Sequence, residues 1–380
     1  MSSHRIFCVA STFVACAVVL AGCATVRPGG VDYRGPPPTP PPDGVPAVRG
    51  TPASAAREWS AAGAGQDAAF ERSNLLSDTF YKNADGLLQQ VEKSGAMGVN
   101  RGWESGTRKG ADWYIEEQRF ADTVIGAGVN RNRVDLIDAG LRALEWGFQQ
   151  QAPDGSFPCK ENFSSTSYFV AAAAHSIWLL ESTGYARDFA GRVGSLRVAL
   201  VRSARWLADP KNLDANRSGH DTLVSRYFVT GYALSASGRL LSDTPLALAG
   251  EDMVRVGLSK QNAAGFFPER GGFDVSFQAE SLVYLLRFFD HAASTEARRS
   301  SEVAIRRGLD WLESRTQASG IVQTAGNTRS GAGQERDRTG QARRVSAVAV
   351  ARALGLAKHV FGDAKFEVLA RNVANARQPG

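Results

Sequence analysis

Cysteine is scarce in this sequence of 380 residues, and its distribution excludes several kinds of protein. Only four cysteines are present, and Cys159 is the single one after residue 23. A lone cysteine cannot form a disulfide within the folded part of the chain, so a disulfide-stabilised scaffold is excluded. A cysteine-rich zinc site is excluded for the same reason.

Long apolar runs are also missing. The apolar run at residues 6–22 is too short to span a membrane comfortably. It ends in Leu20-Ala-Gly-Cys23, which resembles the lipobox of bacterial lipoproteins. This resemblance implies that residues 1–22 are a signal peptide and that Cys23 carries lipid. An alternative interpretation is a plain secretory signal that contains a cysteine by chance.

The lipoprotein resemblance also implies a location. Ala24, rather than Asp, follows the cysteine, which in such proteins favours the outer membrane and a periplasm-facing domain. Residues 23–56 include the proline-rich stretch 35–42, which predicts an extended polyproline II tether that cannot join a core. We therefore expect three parts: a signal at 1–22, a tether at 23–56 and one folded domain at 57–380. The membrane is contacted only through the lipid.

Charge imbalance is small. Lys and Arg number 44 against 38 Asp and Glu, which gives a formal net charge of +6. A mildly basic protein suits a polyanionic partner. Nucleic acid is not expected as a partner in the periplasm, and we expect the chain to be a monomer.

Strand signals are scarce after residue 57, where Ala-, Leu- and Arg-rich segments show the helical spacing of apolar residues. The sequence therefore predicts an all-α domain. The predicted helices cover residues 66–94, 111–126, 131–151, 165–183, 187–209, 221–241, 245–262, 276–292, 295–316, 341–361 and 363–377.

An internal repeat indicates how these helices are arranged. The pattern Arg-x-x-x-Trp ends at Trp146, Trp206 and Trp311, and a turn containing glycine follows each copy. The spacing of about 50 to 60 residues is typical of one helical hairpin per repeat. Repeated hairpins bury their apolar faces by stacking, either as an open solenoid or as a closed ring. Small residues at 171–174 let helices crowd around an axis, which favours a closed α/α toroid.

Two stretches resemble those of known enzymes. One is the spacing Trp-x-x-x-Gln-x-x-x-Asp-Gly-Ser-Phe that ends at Phe157, and the other is Pro-Glu-Arg-Gly-Gly-Phe-Asp-Val-Ser-Phe-Gln-Ala at 268–279. Both are similar to stretches of α/α-toroid polysaccharide lyases of the alginate-lyase-like, uronate-specific group. The resemblance covers about residues 100–362. It implies a glycan groove lined by the loops that precede the inner helices, and β-elimination within an acidic polysaccharide, without a metal or other cofactor.

In a ring of hairpins these loops emerge on one face, so residues about 50 positions apart converge. The elimination needs groups that neutralise the sugar carboxylate, a base, and an acid for the departing oxygen. The candidates for these catalytic roles are Asn162, Tyr168, His220, Tyr227 and Arg270. Aromatic or charged side chains nearby are candidates for substrate binding: Trp103, Trp113, Arg226, Glu269 and Asp274.

Structural roles compete with these assignments. Tyr168 and Tyr227 lie in apolar segments typical of a core, and Asn162 and His220 lie where helix caps occur. His175 is expected to be packed rather than catalytic. Phe273 and Phe277 stand where a catalytic hydroxyl would be convenient, which leaves altered or absent activity as an open interpretation.

Three other functions remain to be weighed. A glycoside hydrolase on the same toroid would need two carboxylates, for which Asp221, Glu269, Asp274 and Glu280 are available. A noncatalytic glycan-binding lipoprotein of a polysaccharide assembly or export system fits the tether and anchor equally well. A terpene cyclase is disfavoured because the chain has no Asp-rich motif for diphosphate or olefin chemistry.

Overall fold

The computed structural model describes residues 65–102, 113–331 and 333–378. Within these ranges no β-strand forms beyond isolated bridges, and the all-α prediction is confirmed. Cys23, Trp103 and the segments 1–22 and 23–56 lie outside the described residues. The α-helices are α1 Gln66–Glu71, α2 Asn74–Asp78, α3 Ala84–Leu88, α4 Ala121–Arg131, α5 Val134–Gln149, α6 Asn162–Thr183, α7 Ala190–Ala208, α8 Pro210–Thr222, α9 Ser225–Leu241, α10 Thr244–Ser259, α11 Val275–Arg287, α12 Thr295–Ser314, α13 Ala347–Phe361 and α14 Ala364–Asn375.

Short 3-10 and π segments complete the helical elements. Three are 3-10 turns, at Gly98–Asn100, Ile115–Phe120 and Tyr185–Arg187, and a π-turn at Phe288–Ala292 continues α11. None of the helices in the described ranges is both long and apolar enough to cross a bilayer.

Several boundary predictions are wrong. The helix predicted at 111–126 is a 3-10 turn followed by α4, which continues to Arg131, and the helix predicted from 341 begins at Ala347. The single helix predicted at 66–94 is three short helices separated by turns. The helix predicted from 221 begins at Ser225, and a separate helix, α8, precedes it. The signal for α8 is present in the sequence, because the Asp209 side chain accepts the backbone N–H of Lys211 and Pro210 occupies the first turn. Its polar composition concealed it from a search for apolar periodicity.

The long helices pack as successive pairs along the chain. The packed pairs are α4 with α5, α6 with α7, α9 with α10, α11 with α12, and α13 with α14. The first members also contact one another in order, α4 with α6, then α9, α11 and α13. The short α1 contacts both α13 and α4. One continuous apolar core joins these elements.

The glycine turns of the repeat have a common packing reason. Gly155 has φ +93°, and a Cβ there would lie 2.3 Å from the carbonyl oxygen of Arg202 on α7. Gly265 has φ +104°, and its Cβ would lie 2.4 Å from the carbonyl oxygen of Arg307 on α12. Both arginines begin copies of Arg-x-x-x-Trp, so each glycine turn rests on the backbone of the following pair. The repeat in the sequence is therefore a repeated backbone contact, which stacks the pairs and places the loops before α6 and α11.

Candidate functional site

A narrow crevice lies where α6 and α9 begin and α8 ends. Its lining side chains pack so closely that they leave no room for a water molecule between them. Three residues predicted from the sequence line it together, Tyr168, His220 and Arg226. The other lining residues are Ser164, Ser167, Val229 and Thr230.

Tyr168 contributes a buried hydroxyl. It lies two turns into α6, and its hydroxyl donates a hydrogen bond to Glu280 Oε2 on α11 at 2.9 Å. The guanidinium carbon of Arg119 lies 4.6 Å from the centre of its ring. Burial raises the pKa of Tyr168 well above its ordinary value, so the phenol keeps its proton at neutral pH.

Glu280 is the acidic partner of that phenol. Its side chain is half-buried, and burial raises its pKa against the opposing effect of Arg119. A carboxylate that holds its proton more tightly than usual, next to a phenol and a guanidinium, is typical of acid–base sites. Glu280 on α11, rather than Glu269 in the preceding loop, is therefore the acidic group that accompanies Tyr168.

His220 is held as a neutral base. Its Nδ1 lies 2.8 Å from the carbonyl oxygen of Asn216, which can only accept, so the ring proton is on Nδ1. Nε2 faces the Thr230 hydroxyl at 3.3 Å and carries the lone pair. Burial lowers the pKa of His220, which keeps the imidazole uncharged.

Tyr227 supports His220 from one side. The two ring centres are 5.1 Å apart. The Tyr227 hydroxyl donates to Asp221 Oδ1 at 2.7 Å, and Lys260 Nζ also lies 2.8 Å from that oxygen. Burial and the Asp221 carboxylate raise the pKa of Tyr227 to about 12. The structure thus places Tyr227 against the base, with its hydroxyl engaged by an acidic residue.

A network of ion pairs extends from Arg226. Arg226 lies 3.9 Å from Glu161, and Arg338 lies 4.0 Å from the same carboxylate. Arg338 also pairs with Glu116 at 2.8 Å and Glu117 at 2.9 Å. Its guanidinium stacks on the Tyr114 ring at 3.7 Å. The segment between α12 and α13 is thereby attached to the 3-10 turn that carries Arg119.

Glu116 has the opposite electrostatic character to Glu280. Burial alone would raise its pKa, but Arg119 and Arg338 outweigh burial and lower it. Glu116 is consequently ionised over the whole neutral range.

Glu269 and Asp274 are buried and fully engaged by protein groups. Glu269 accepts the backbone N–H of Ser225 at 2.8 Å and pairs with Arg329 at 2.7 Å. Asp274 caps α11 and also accepts the backbone N–H groups of Arg329 and Ser330. Glu269 and Asp274 therefore fix the start of α9 and the loop before α13.

The remaining predicted residues lie apart from the crevice lining. Arg270 extends to Glu335 at 2.8 Å with its side chain more than half exposed. Asn162 is exposed at the first position of α6, and no described contact joins it to His220 or Arg270. Trp113 is buried and donates its indole N–H to the Pro158 carbonyl at 3.0 Å.

No protein-family model, curated protein or solved structure matches this chain. Function therefore has to be argued from the geometry of the site itself.

The sequence analysis does not place Glu116, Arg119 or Glu280 among the catalytic or substrate-binding residues of the proposed lyase. In the sequence analysis Glu280 is a candidate carboxylate for hydrolysis only. It lies about one helical turn after Phe277 on α11, and this spacing is the signal in the sequence that places it near the loop before α11. Glu116 and Arg119 lie in a 3-10 turn with no repeat or motif around them. Nothing local in the sequence marks them.

A separate group of side chains has the spacing of metal ligands. Asp67, His175 and His291 are buried, and their ligand atoms all lie within 4.8 Å of one another. His175 follows Tyr168 by two turns of α6, so this group is distinct from the crevice lining.

Proposed function

We propose that this protein is a lyase that cleaves a uronic-acid-containing polysaccharide by β-elimination. The observation that carries the proposal is the shared crevice of Tyr168, His220 and Arg226, which combines a protonated phenol, a neutral imidazole and a guanidinium. Elimination beside a sugar carboxylate requires an acid, a base and a cation.

The proposed roles follow from the protonation states. His220 Nε2 takes the proton from the carbon next to the carboxylate, and the electron pair forms a carbon–carbon double bond. The bond to the glycosidic oxygen breaks, and the Tyr168 hydroxyl gives that oxygen its proton. Arg226 and Arg119 neutralise the carboxylate and the charge that develops on it. The proton on His220 then returns to Tyr168 through solvent.

Glu280 keeps Tyr168 oriented. The phenolic proton points at Glu280 Oε2 in the free enzyme. During the reaction the hydroxyl turns toward the leaving oxygen, and Arg119 compensates the carboxylate that is left behind. Glu280 is a positioning residue in this account.

The size of the crevice sets how substrate binds. Pockets for whole small molecules usually enclose about 300–1,000 Å³. This crevice is closed in the structure, so its lining side chains would have to move apart to admit the reacting edge of one sugar. The rest of the polymer would lie along the neighbouring surface, where Arg338 pairs with the 3-10 turn at Ile115–Phe120.

We also propose that the helix pairs form an α/α toroid. The supporting observation is that contacts between neighbouring first members run from α4 through α6, α9, α11 and α13, and that α1 contacts both α13 and α4. In such a ring the loops before α6, α9 and α11 share one face, as the crevice requires.

A glycoside hydrolase is the second candidate, favoured by one observation. Glu280 and Glu116 have pKa values displaced in opposite directions, and Arg119 interacts with both. An acid with a raised pKa beside an ionised carboxylate is the arrangement that hydrolysis uses.

We propose in addition that the chain acts as a monomer, anchored to the outer membrane by lipid on Cys23 and facing the periplasm. The lipobox-like sequence supports the lipid anchor and its location. Mass spectrometry of the mature N-terminus would show a diacyl or triacyl Cys23, whereas an unmodified N-terminus after another residue would contradict it.

The test of activity is a panel of polymers. The purified mature protein is incubated with alginate, glucuronan and a neutral glucan, and ultraviolet absorbance of unsaturated ends is followed. We expect a rise with at least one uronate polymer and none with the neutral glucan. No rise with any uronate polymer would overturn the lyase proposal.

A further inference from the structure

A buried polar group links α1 to the core of the molecule. Asp67 lies on α1, His175 on α6 and His291 in the π-turn that continues α11. Asp67 and His175 are fully buried, and His291 is 8% exposed. π-turns within helices occur frequently at functional sites.

The distances suit a tetrahedral metal ion. His175 Nε2 lies 2.8 Å from Asp67 Oδ2, and His291 Nε2 lies 3.5 Å from the same oxygen. Zn²⁺ bound to nitrogen and oxygen at about 2.0–2.1 Å in a tetrahedron places its ligand atoms about 3.3 Å apart. All three ligand atoms lie within 4.8 Å of one another, so the widest pair has to close by at most about 1.5 Å for the three side chains to coordinate one ion.

Both histidine rings are held in fixed orientations. Asp122 Oδ1 lies 2.5 Å from His175 Nδ1, which leaves Nε2 for a ligand. His291 is stacked on Trp178 with ring centres 3.8 Å apart and planes 8° apart. A carboxylate behind a metal-binding histidine is the usual way in which proteins fix its tautomer and orientation.

One oxygen in the group lacks a partner. Asp67 Oδ1 is buried and accepts no hydrogen bond from any described residue. A proton on His175 would satisfy Asp67 Oδ2 and Asp122, but it would leave Oδ1 unpaired. A buried unpaired carboxylate oxygen is costly, and a cation beside it removes the cost.

The charges around the group lead to the same conclusion. Four carboxylates meet here, Asp67, Glu71, Asp122 and Asp290. Two guanidinium groups, those of Arg287 and Arg352, face them. A metal-binding His175 is neutral, and one divalent cation would then balance the excess of two negative charges. Without an ion, and against the opposing effects of burial and Arg287, Asp122 and Asp67 raise the pKa of His175 to about 9, and its proton supplies only one of the two charges.

We propose that Asp67, His175 and His291 bind one Zn²⁺ ion, which fastens α1 to α6 and to the π-turn. The ion has a structural role and is independent of the proposed lyase site. Because α1 supplies Asp67, the ion is enclosed when α1 docks.

The experiment measures metal in the untagged full chain produced with zinc in the medium. After extensive dialysis, elemental analysis is expected to give about one zinc per chain. Stripping with a strong chelator is expected to lower the melting temperature by at least about 3 °C, and added Zn²⁺ to restore it. Replacement by Co²⁺ is expected to produce the visible absorption of a tetrahedral site.

Matched variants locate the ion. His291→Phe retains the aromatic stack on Trp178 but removes a ligand, and we expect the bound zinc to fall below about one fifth of an equivalent. His359→Phe is the control, because His359 packs on Phe70 of α1 but belongs to no ligand group. Its zinc content should remain that of the original chain.

Zinc below about 0.1 equivalent in the original chain, together with no change in melting temperature on adding Zn²⁺, would overturn the proposal. Full zinc content in a folded His291→Phe variant would also overturn it. Should that variant not fold, the measurements on the original chain and its Co²⁺ spectrum still decide.

Discussion

At the scale of single residues, the account depends on environments rather than on residue types. The chain has eight tyrosines and five histidines, so the residue type alone does not identify a catalytic one. Tyr168 is different because its hydroxyl meets a carboxylate whose own pKa is raised. His220 is different because a carbonyl oxygen fixes its proton on Nδ1 within the same crevice.

Tyr168→Phe removes the proposed acid while keeping the ring. We expect kcat on the active uronate polymer to fall by about 100-fold or more, because the leaving oxygen loses its proton donor. KM should change by less than about threefold, since the ring and Arg119 remain. Steady-state kinetics from unsaturated-end absorbance provide the measurement.

The control for this variant is Tyr185→Phe. Tyr185 donates its hydroxyl to Asn132 at an exposed position, and removing that bond should leave kcat unchanged. Equal activity of Tyr168→Phe and the original protein would remove Tyr168 from the mechanism.

The pH dependence of activity follows from His220 and Tyr168. Burial lowers the pKa of His220 below 6.5, so the base becomes neutral, and kcat/KM reaches its plateau, below pH 6.5. Burial keeps the pKa of Tyr168 well above 10.0, so the acid remains protonated throughout the neutral range. A pH profile of kcat/KM should be flat from about pH 7 to pH 9. A profile that is still rising between pH 7 and pH 8 would contradict the assignment of His220.

The same shift has a consequence for stability. The unfolded chain takes up a proton on His220 near pH 6.5, whereas the folded chain resists it until a lower pH. The contribution of His220 to the free energy of unfolding is therefore complete above pH 6.5 and declines as the pH falls below it. This contribution should disappear in His220→Gln, which also loses the proposed base.

At the scale of elements, the glycine turns determine how one helix pair rests on the next. Gly155 and Gly265 both combine a positive φ with a carbonyl oxygen closer than a Cβ permits. The turns are consequently fixed by the neighbouring pair as much as by their own sequence.

Gly155→Ala should destabilise the protein by about 2–4 kcal/mol, because a methyl group cannot occupy the space beside Arg202 and the backbone angle is strained. Gly194→Ala on α7 is the matched control, since nothing lies within 4 Å of its Cβ position. Alanine there should stabilise α7 by about 0.5–1 kcal/mol. Urea denaturation of both variants measures the difference between their free energies of unfolding. Equal values would show that the close approach of Gly155 to Arg202 does not stabilise the fold.

Elements are also where prediction from sequence succeeded and failed. Apolar spacing and the Arg-x-x-x-Trp repeat predicted the long paired helices, because each must bury one face against neighbours. They did not predict α8 or the breaks within 66–94, which depend on caps and local turns. The repeat correctly suggested that residues 50 to 60 positions apart can meet, as Tyr168 and Arg226 do in the crevice. The ion pairs that occupy Glu269 and Asp274 could not be predicted, because their partners come from a loop without a local pattern.

At the scale of the whole domain, charged side chains join its first helix to later ones. Glu71 on α1 accepts the Tyr81 hydroxyl at 2.6 Å and pairs with Arg352 on α13 at 2.9 Å and Arg287 on α11 at 3.3 Å. Glu71 is 1% exposed, so these charges depend on one another for compensation.

Glu71→Gln should lower the free energy of unfolding by about 3–5 kcal/mol, because it leaves Arg287 and Arg352 short of one negative charge in a buried position. The control is Glu302→Gln, which breaks an exposed pair with Arg306 and should cost less than about 0.5 kcal/mol. Thermal or urea unfolding of the two variants is the measurement. A loss of similar size in both would show that the buried group does not hold α1 in place.

The central claim is that the crevice of Tyr168, His220 and Arg226 breaks a uronate linkage by elimination. The most direct measurement counts unsaturated ends and new reducing ends in the same digest of the active polymer. Elimination predicts one unsaturated end for every new reducing end, and loss of both in His220→Gln. New reducing ends without unsaturated ends would contradict the claim and identify the chemistry as hydrolysis, with Glu280 and Glu116 as its acid and base.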